Sequence, residues 1–193
     1  MDTEILLFKG YDELDAIAPY ETLRLAARHG GAIDARLVTP EPTDLVEARS
    51  GLRVEPDGTL SDAPETLLVP GGGWNDPGEP GVRREYDSGA IPEAIAERFD
   101  SGTTVASVCT GSLLLAAAGI LDGRPAASHH TAHGDLREMG VDVRERRFVD
   151  DGRVLTASGI TSGFDLALRL VERECGEAVA DGVAAELEYE RVI

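Results

Sequence analysis

The residues best placed to do chemistry lie at Ser107-Val108-Cys109-Thr110-Gly111-Ser112. A β-branched run over residues 103–108 reads as a strand, and an apolar helical segment follows over 111–118. Small residues stand two positions either side of the cysteine. This is the small-x-nucleophile-x-small spacing of a strand-to-helix elbow, where a sharp turn leaves no room for bulk. A thiol over a helix N-terminus is favoured as thiolate, so Cys109 is expected to titrate at roughly 4–7. The plainer alternative is a small buried cysteine filling a core gap.

Other groups could serve such a nucleophile. Val69-Pro70-Gly71-Gly72-Gly73 is a strand running into glycines. Glycines allow close backbone approach and leave amides free to hold a developing oxyanion, together with the Thr110 amide. No Gly-Lys-Ser/Thr follows, so a phosphate loop is not expected. Asp15, just after the first strand, is either a base for water or a helix cap, and Asp12 and Glu13 compete for the role. Of His129, His130 and His133, either of the first two can reach a sulfur at position 109 as its partner. No metal site is expected from them, because the segment opens as a strand. Ser162-Gly163-Phe164-Asp165 fits a helix capping box, with Asp in place of Glu. Cys175 reads as an inert second thiol, and His29 as a solvated cap.

The elements that must position these groups alternate. Strands are expected over 5–8, 32–39, 66–70, 103–108 and 125–128, with helices over 13–29, 91–99, 111–118, 131–139, 163–174 and 177–189. Pro19 is expected to begin the true first helix, leaving 12–18 as a turn or kinked first turn. Residues 52–58 read as a short hairpin, 77–89 as a surface loop, and 141–149 with 153–157 as a second hairpin about Asp150-Asp151-Gly152. The alternation predicts a single domain over 1–193, a three-layer α/β/α sandwich of flavodoxin-like character with a mostly parallel sheet. Such sheets place ligands at the carboxyl ends of their strands.

Composition narrows the function classes. Lys and Arg total 18 against 36 Asp and Glu, a net charge of −18, and Lys9 is the only lysine. So acidic a chain repels nucleic acid and anionic membranes, and neither is expected as a partner. The acid is spread along the chain, which suits a solvated surface in a salt-rich, halophilic cytoplasm. Two distant cysteines form neither a zinc pattern nor a disulfide framework. The start, MDTEILLFKG, lacks a signal-peptide pattern, and no apolar run nears the length of about 20 residues that spans a bilayer. A reducing cytoplasmic setting is the expectation.

Together these residues resemble the ThiJ/PfpI family of the class-I glutamine-amidotransferase-like superfamily. Residues 10–15 with Pro19 are similar to its acidic loop, Val69-Pro70-Gly71-Gly72 to its oxyanion glycines, residues 106–116 to its elbow and residues 152–159 to its last strand. Within the family the likeness is greatest to the isonitrile hydratase group. Thr110 follows the cysteine, Leu121-Asp122-Gly123-Arg124 precedes a short strand and His129, and Asp15 stands where other members have glutamate. His130 departs from that group's usual aromatic residue.

The resemblance implies a cysteine-dependent enzyme that hydrates isonitriles to N-substituted formamides, with Cys109, Asp15, Thr110 and His129 catalytic. It implies Gly71, Gly72 and Thr110 as oxyanion or substrate-binding residues, no cofactor, a small-molecule substrate and a homodimer. Alternatives on the same cysteine are a glyoxalase or deglycase acting on reactive carbonyls, and a redox sensor or chaperone.

The charge generates a test. At 0.01 M salt the Debye length is about 30 Å and repulsion spans the whole domain, whereas at 1 M it is about 3 Å. The melting temperature is therefore expected to rise substantially from dilute buffer to molar KCl, with sucrose controlling for general exclusion effects. A midpoint flat in KCl would overturn the salt-adapted reading.

Overall fold

The computed structural model describes residues 1–191. The chain runs β1 (Asp2–Leu6), α1 (Glu13–Arg28), β2 (Asp34–Thr39), β3 (Val46–Glu47), β4 (Arg53–Val54), β5 (Gly58–Thr59) and β6 (Thr66–Val69). It continues through α2 (Val82–Ser88), α3 (Ala90–Asp100), β7 (Thr104–Val108), α4 (Ser112–Ala117), β8 (Pro125–Ala126), α5 (His133–Glu138) and β9 (Asp142–Val143). It closes with β10 (Phe148–Asp151), β11 (Val154–Ala157), α6 (Ser162–Cys175) and α7 (Glu177–Glu186).

Seven strands form one sheet in the order β10-β11-β7-β6-β1-β2-β5. All neighbours are parallel except the β10–β11 hairpin. Helices α1, α6 and α7 pack together on one face, and α2, α3 and α4 on the other. The expected α/β/α sandwich is therefore observed. Strands buried from both sides must be apolar along their length, not alternating. β6 (TLLV) and β11 (VLTA) are buried at every position. Leu113, Leu114 and Leu115 of α4 are also fully buried, each contributing about 1.5–3 kcal/mol.

Register decides where the site falls. Val69 pairs with Ser107, and Ala157 with Val108, so β6, β7 and β11 end level with one another. The residues that follow (Pro70-Gly71, Cys109 and Ser158-Gly159) are thereby brought to one edge. The loop after β1 arrives at the same edge, because the Asp12 amide donates to the Gly71 carbonyl at 2.8 Å.

Three local expectations are corrected. α1 does not begin at Pro19 but runs through it from Glu13. The lost backbone bond costs about 3 kcal/mol in isolation, and tertiary packing outweighs it: Pro19 is buried, with its ring close to Gly163 at the start of α6. The hairpin expected about residues 56–58 forms instead between β3 and β4, and Gly58–Thr59 joins the edge of the main sheet beside β2. Within the expected surface loop, α2 forms after Gly81, because the Val82 amide is anchored by the Gly72 carbonyl at 2.7 Å.

The elbow is wedged against the end of β6. A Cβ at Gly111 would lie 2.7 Å from the Pro70 carbonyl oxygen and closer still to that of Val69. Neither backbone group can swing aside as a side chain would. Gly111→Ala is expected to lower stability by about 1–3 kcal/mol, read from urea unfolding. A wild-type midpoint would show that this junction yields freely.

Candidate active site

Cys109 directly follows β7 and opens a tight 3₁₀ turn, Cys109–Gly111, that leads into α4. Its backbone is left-handed, with φ at 59°. Such a conformation costs a non-glycine residue on the order of 1–3 kcal/mol and persists only where neighbours over-determine it. Here they do. The Cys109 amide donates to the Ser158 carbonyl at 2.9 Å. The Cys109 carbonyl accepts from the hydroxyls of Ser128 at 2.9 Å and Ser112 at 3.2 Å, and those two hydroxyls are 2.7 Å apart. The side chain is buried, with 6 % exposed.

Asp15 faces it from the first turn of α1. The capping role left open for Asp15 falls instead to Asp12, whose carboxylate accepts from the Leu14 amide at 3.2 Å. Asp15 is fully buried, accepts from the Gly71 amide at 3.0 Å through Oδ2 and faces the Cys109 thiol. Its Oδ1 has no partner among the described residues. Burial, reinforced by the Asp12 charge, pushes the Asp15 carboxyl up to about 8, against the opposing pull of the Gly71 amide and Cys109.

The thiol does not have the depressed pKa expected of an elbow cysteine. Burial and then the Asp15 charge drive it far upward, and the backbone amides of Thr110 and Ile160 offset only part of this. Two acids in one dry pocket cannot both ionise, so near neutral pH at least one proton stays with the pair.

The glycine turn builds this pair. A Cβ on Gly71 would stand 2.6 Å from the Thr110 nitrogen and 2.9 Å from Asp15 Oδ2. One on Gly72, where φ is 114°, would stand 2.6 Å from the Asp12 nitrogen. Their amides are nevertheless engaged, Gly71 with Asp15 and Gly72 with Thr110 Oγ1 at 2.9 Å. They therefore position Asp15 and Thr110 in place of the free oxyanion donors expected. The donors that face the sulfur are Thr110 and Ile160. Ile160 went unread because its contribution is a backbone amide, and its side chain carries no chemical signal. Its own φ is positive, at 24°.

His129 has no hydrogen bond to Cys109 among the described residues. Its Nδ1 contacts Thr131 Oγ1 at 2.9 Å, and its ring lies against Gly159. Burial, then the neighbouring His130 and His133, lower its pKa. His133 Nε2 meets the Ser128 carbonyl at 3.0 Å. These histidines line a cleft of about 700 Å³ that also takes in Arg146, Arg147 and residues 158–162. The two arginines carried no sequence signal. The capping box read at Ser162 does not form: Asp165 pairs with Arg147 at 2.6 Å and accepts from Tyr189, and the Ser162 hydroxyl has no partner among the described residues.

The single tryptophan, Trp74, ties the glycine turn to α5. Its Nε1 donates to Asp135 at 2.5 Å, and the Arg83 guanidinium sits 3.5 Å over its ring. Among the described residues no group of three or more His, Cys, Asp or Glu side chains could hold a metal, and no helix is long and apolar enough to cross a membrane.

Comparison with known proteins agrees with this geometry. The isonitrile hydratase of Pseudomonas putida is 35% identical over 188 residues, covering 95% of this chain and 76% of that protein. The Parkinson disease protein 7 homolog of Danio rerio is 30% identical over 192 residues, covering 95% and 94%. A crystal structure of a ThiJ/PfpI family protein from Pseudomonas syringae superposes with a TM-score of 0.85 at 26% identity, covering 100% of this chain and 76% of that one. The model of the DJ-1/PfpI family matches residues 3–173, a span that takes in the acidic loop, the glycine turn, the elbow and the last strand, and the chain belongs to that family.

Proposed function

We propose that this protein is a cysteine-dependent hydro-lyase that adds water to an isonitrile and releases an N-substituted formamide. The observation that carries the reading is the buried Asp15–Cys109 pair, with Thr110 anchored beside it, in a chain 35% identical to an isonitrile hydratase.

The pair supplies what the reaction needs. In its singly protonated state the proton resides on Asp15 in one tautomer, and the sulfur is then a thiolate. The sulfur forms a bond to the terminal carbon as Asp15 delivers its proton to that carbon, giving a thioimidate. The Asp15 carboxylate then takes a proton from water. Hydroxide adds to the carbon and the proton passes to nitrogen. Collapse breaks the carbon–sulfur bond, the new hydroxyl returns its proton to Asp15, and thiolate and acid are restored. One water is consumed and no oxidant is needed. The Thr110 and Ile160 amides hold charge on the sulfur as it leaves.

Turnover is tested with cyclohexyl and phenyl isonitriles, with methylglyoxal as the competing carbonyl substrate. Formamide production lost in Cys109→Ala is the expected result. Asp15→Asn is expected to lower kcat by about 10²–10⁴-fold. Methylglyoxal turnover without formamide would replace this reading with the glyoxalase one.

The pair also predicts a pH profile. Below about 8 both groups are protonated, and the thiolate-bearing state grows tenfold per pH unit. Alkylation of Cys109 by iodoacetamide should rise to a plateau near that pH, and Asp15→Asn should lack the plateau. A wild-type midpoint below pH 6 would sink the shared-proton description.

Stability follows with a definite sign. Asp15 binds its proton more tightly folded than unfolded, where it titrates at about 3.9. Between that value and about 8 the native state holds the extra proton, so stability falls as pH rises through this window. Asp15→Asn should therefore gain thermal stability over wild type as pH climbs from 5 to 8. An unchanging difference would show that Asp15 ionises normally.

A further inference from the structure

The cleft beside Cys109 runs against the charge of the molecule. With 36 acidic and 18 basic residues, an average surface here is acid-lined. This one presents Arg146, Arg147, His129, His130 and His133 against the single acid Glu145. Two of its charges are matched. Arg147 grips Asp165 through Nε at 2.8 Å and Nη2 at 2.6 Å, and Glu145 reaches Arg137 at 3.5 Å. Arg146 is exposed and makes no ion pair among the described residues.

Polar side chains line the same cleft. The His129 ring contacts Thr131 through Nδ1 and lies with its Cδ2–Nε2 edge toward Gly159. The Ser162 hydroxyl is buried, 1 % exposed, and has no partner among the described residues. The cleft abuts the nucleophile: Ser158 accepts the Cys109 amide, and Ile160 turns its own amide toward the sulfur. The Asp12 charge also acts on His129, but that carboxylate is itself engaged with the Leu14 amide.

We infer that the cleft seats a carboxylate, so that the substrate is an anionic small molecule whose acid group lies a few bonds from the carbon that Cys109 attacks. Arg146 supplies the charge, with the His129 ring and Ser162 along the same cleft. This deepens the hydration reading, on which it rests for the attacking atom: the natural substrate is an isonitrile bearing a carboxylate.

Paired alkylating agents test the seat apart from turnover. Iodoacetate and iodoacetamide differ by one charge, and the ratio of their rates cancels the thiolate fraction. Cys175, half-buried at the end of α6, is the internal reference. In dilute buffer the iodoacetate-to-iodoacetamide ratio at Cys109 should exceed that at Cys175 by about 5–10-fold, the scale of one charge at partly screened contact. It should collapse in Arg146→Gln, persist in Arg146→Lys, and fall toward unity in molar KCl. A ratio at Cys109 no higher than at Cys175, or unchanged in Arg146→Gln, overturns the inference. Absence of isonitrile turnover with the ratio intact would remove the hydration reading and leave the carboxylate seat standing.

Discussion

The site is organised around a proton that a buried carboxyl and a buried thiol must share. Placed in water, Asp15 and Cys109 would titrate independently, several units apart. In the dry pocket they share, burial raises both pKa values, and the Asp15 charge raises the thiol further while the thiol offsets only part of the rise at Asp15. The pocket therefore cannot hold two bare anions, and most of its surrounding hydrogen bonds make sense as ways of holding one. The Gly71 amide fixes one Asp15 oxygen, the Thr110 and Ile160 amides face the sulfur, and Asp15 Oδ1 has no partner among the described residues.

That constraint reaches outward through backbone geometry. A carboxyl on α1 can meet a sulfur after β7 only if the loops between them approach at backbone contact. Gly71, Gly72 and Gly111 are the positions where a side chain would block that approach. The left-handed Cys109 is strained, and the Ser112–Ser128 hydroxyl pair beneath its carbonyl holds it from the other side. The level ends of β6, β7 and β11 then convert sheet register into site geometry. The sandwich matters to the chemistry mainly because parallel strands in register place several loop starts on one edge.

Much of this was legible in the residues. The elbow spacing at 107–111, the glycines after β6 and the acid after β1 each announce a backbone or chemical requirement that only a few residue types meet. What escaped reading was tertiary. Pro19 looked like a helix start because local propensity says so, and only its packing near Gly163 makes a mid-helix proline tolerable. The depressed thiol pKa was inferred from a helix end alone, whereas the burial and the facing carboxylate that reverse it are properties of the assembled pocket. Asp12 and Asp15 looked interchangeable in sequence. Helix geometry separates them, giving one the cap and the other the sulfur. Ile160 contributes a peptide amide, which any residue could supply.

The distribution of charge carries the argument one step further. A net charge of −18 raises the cost of keeping any further anion on the protein, and the singly protonated Asp15–Cys109 pair is such an anion. Burial shields that pair from counter-ions, so its compensation must come from groups built into the site. Amide dipoles serve at the sulfur itself, and along the cleft stands Arg146, a full cation with no ion pair among the described residues. A guanidinium there acts on both partners of the reaction, since it draws an anionic ligand inward and opposes the general acidity of the surface around the thiolate. It is an arginine in a chain with one lysine, and a planar fork suits a carboxylate better than a point charge would. In a molecule with twice as many acidic as basic residues, a short arc of positive potential leading to a nucleophile is a selective entrance for anions.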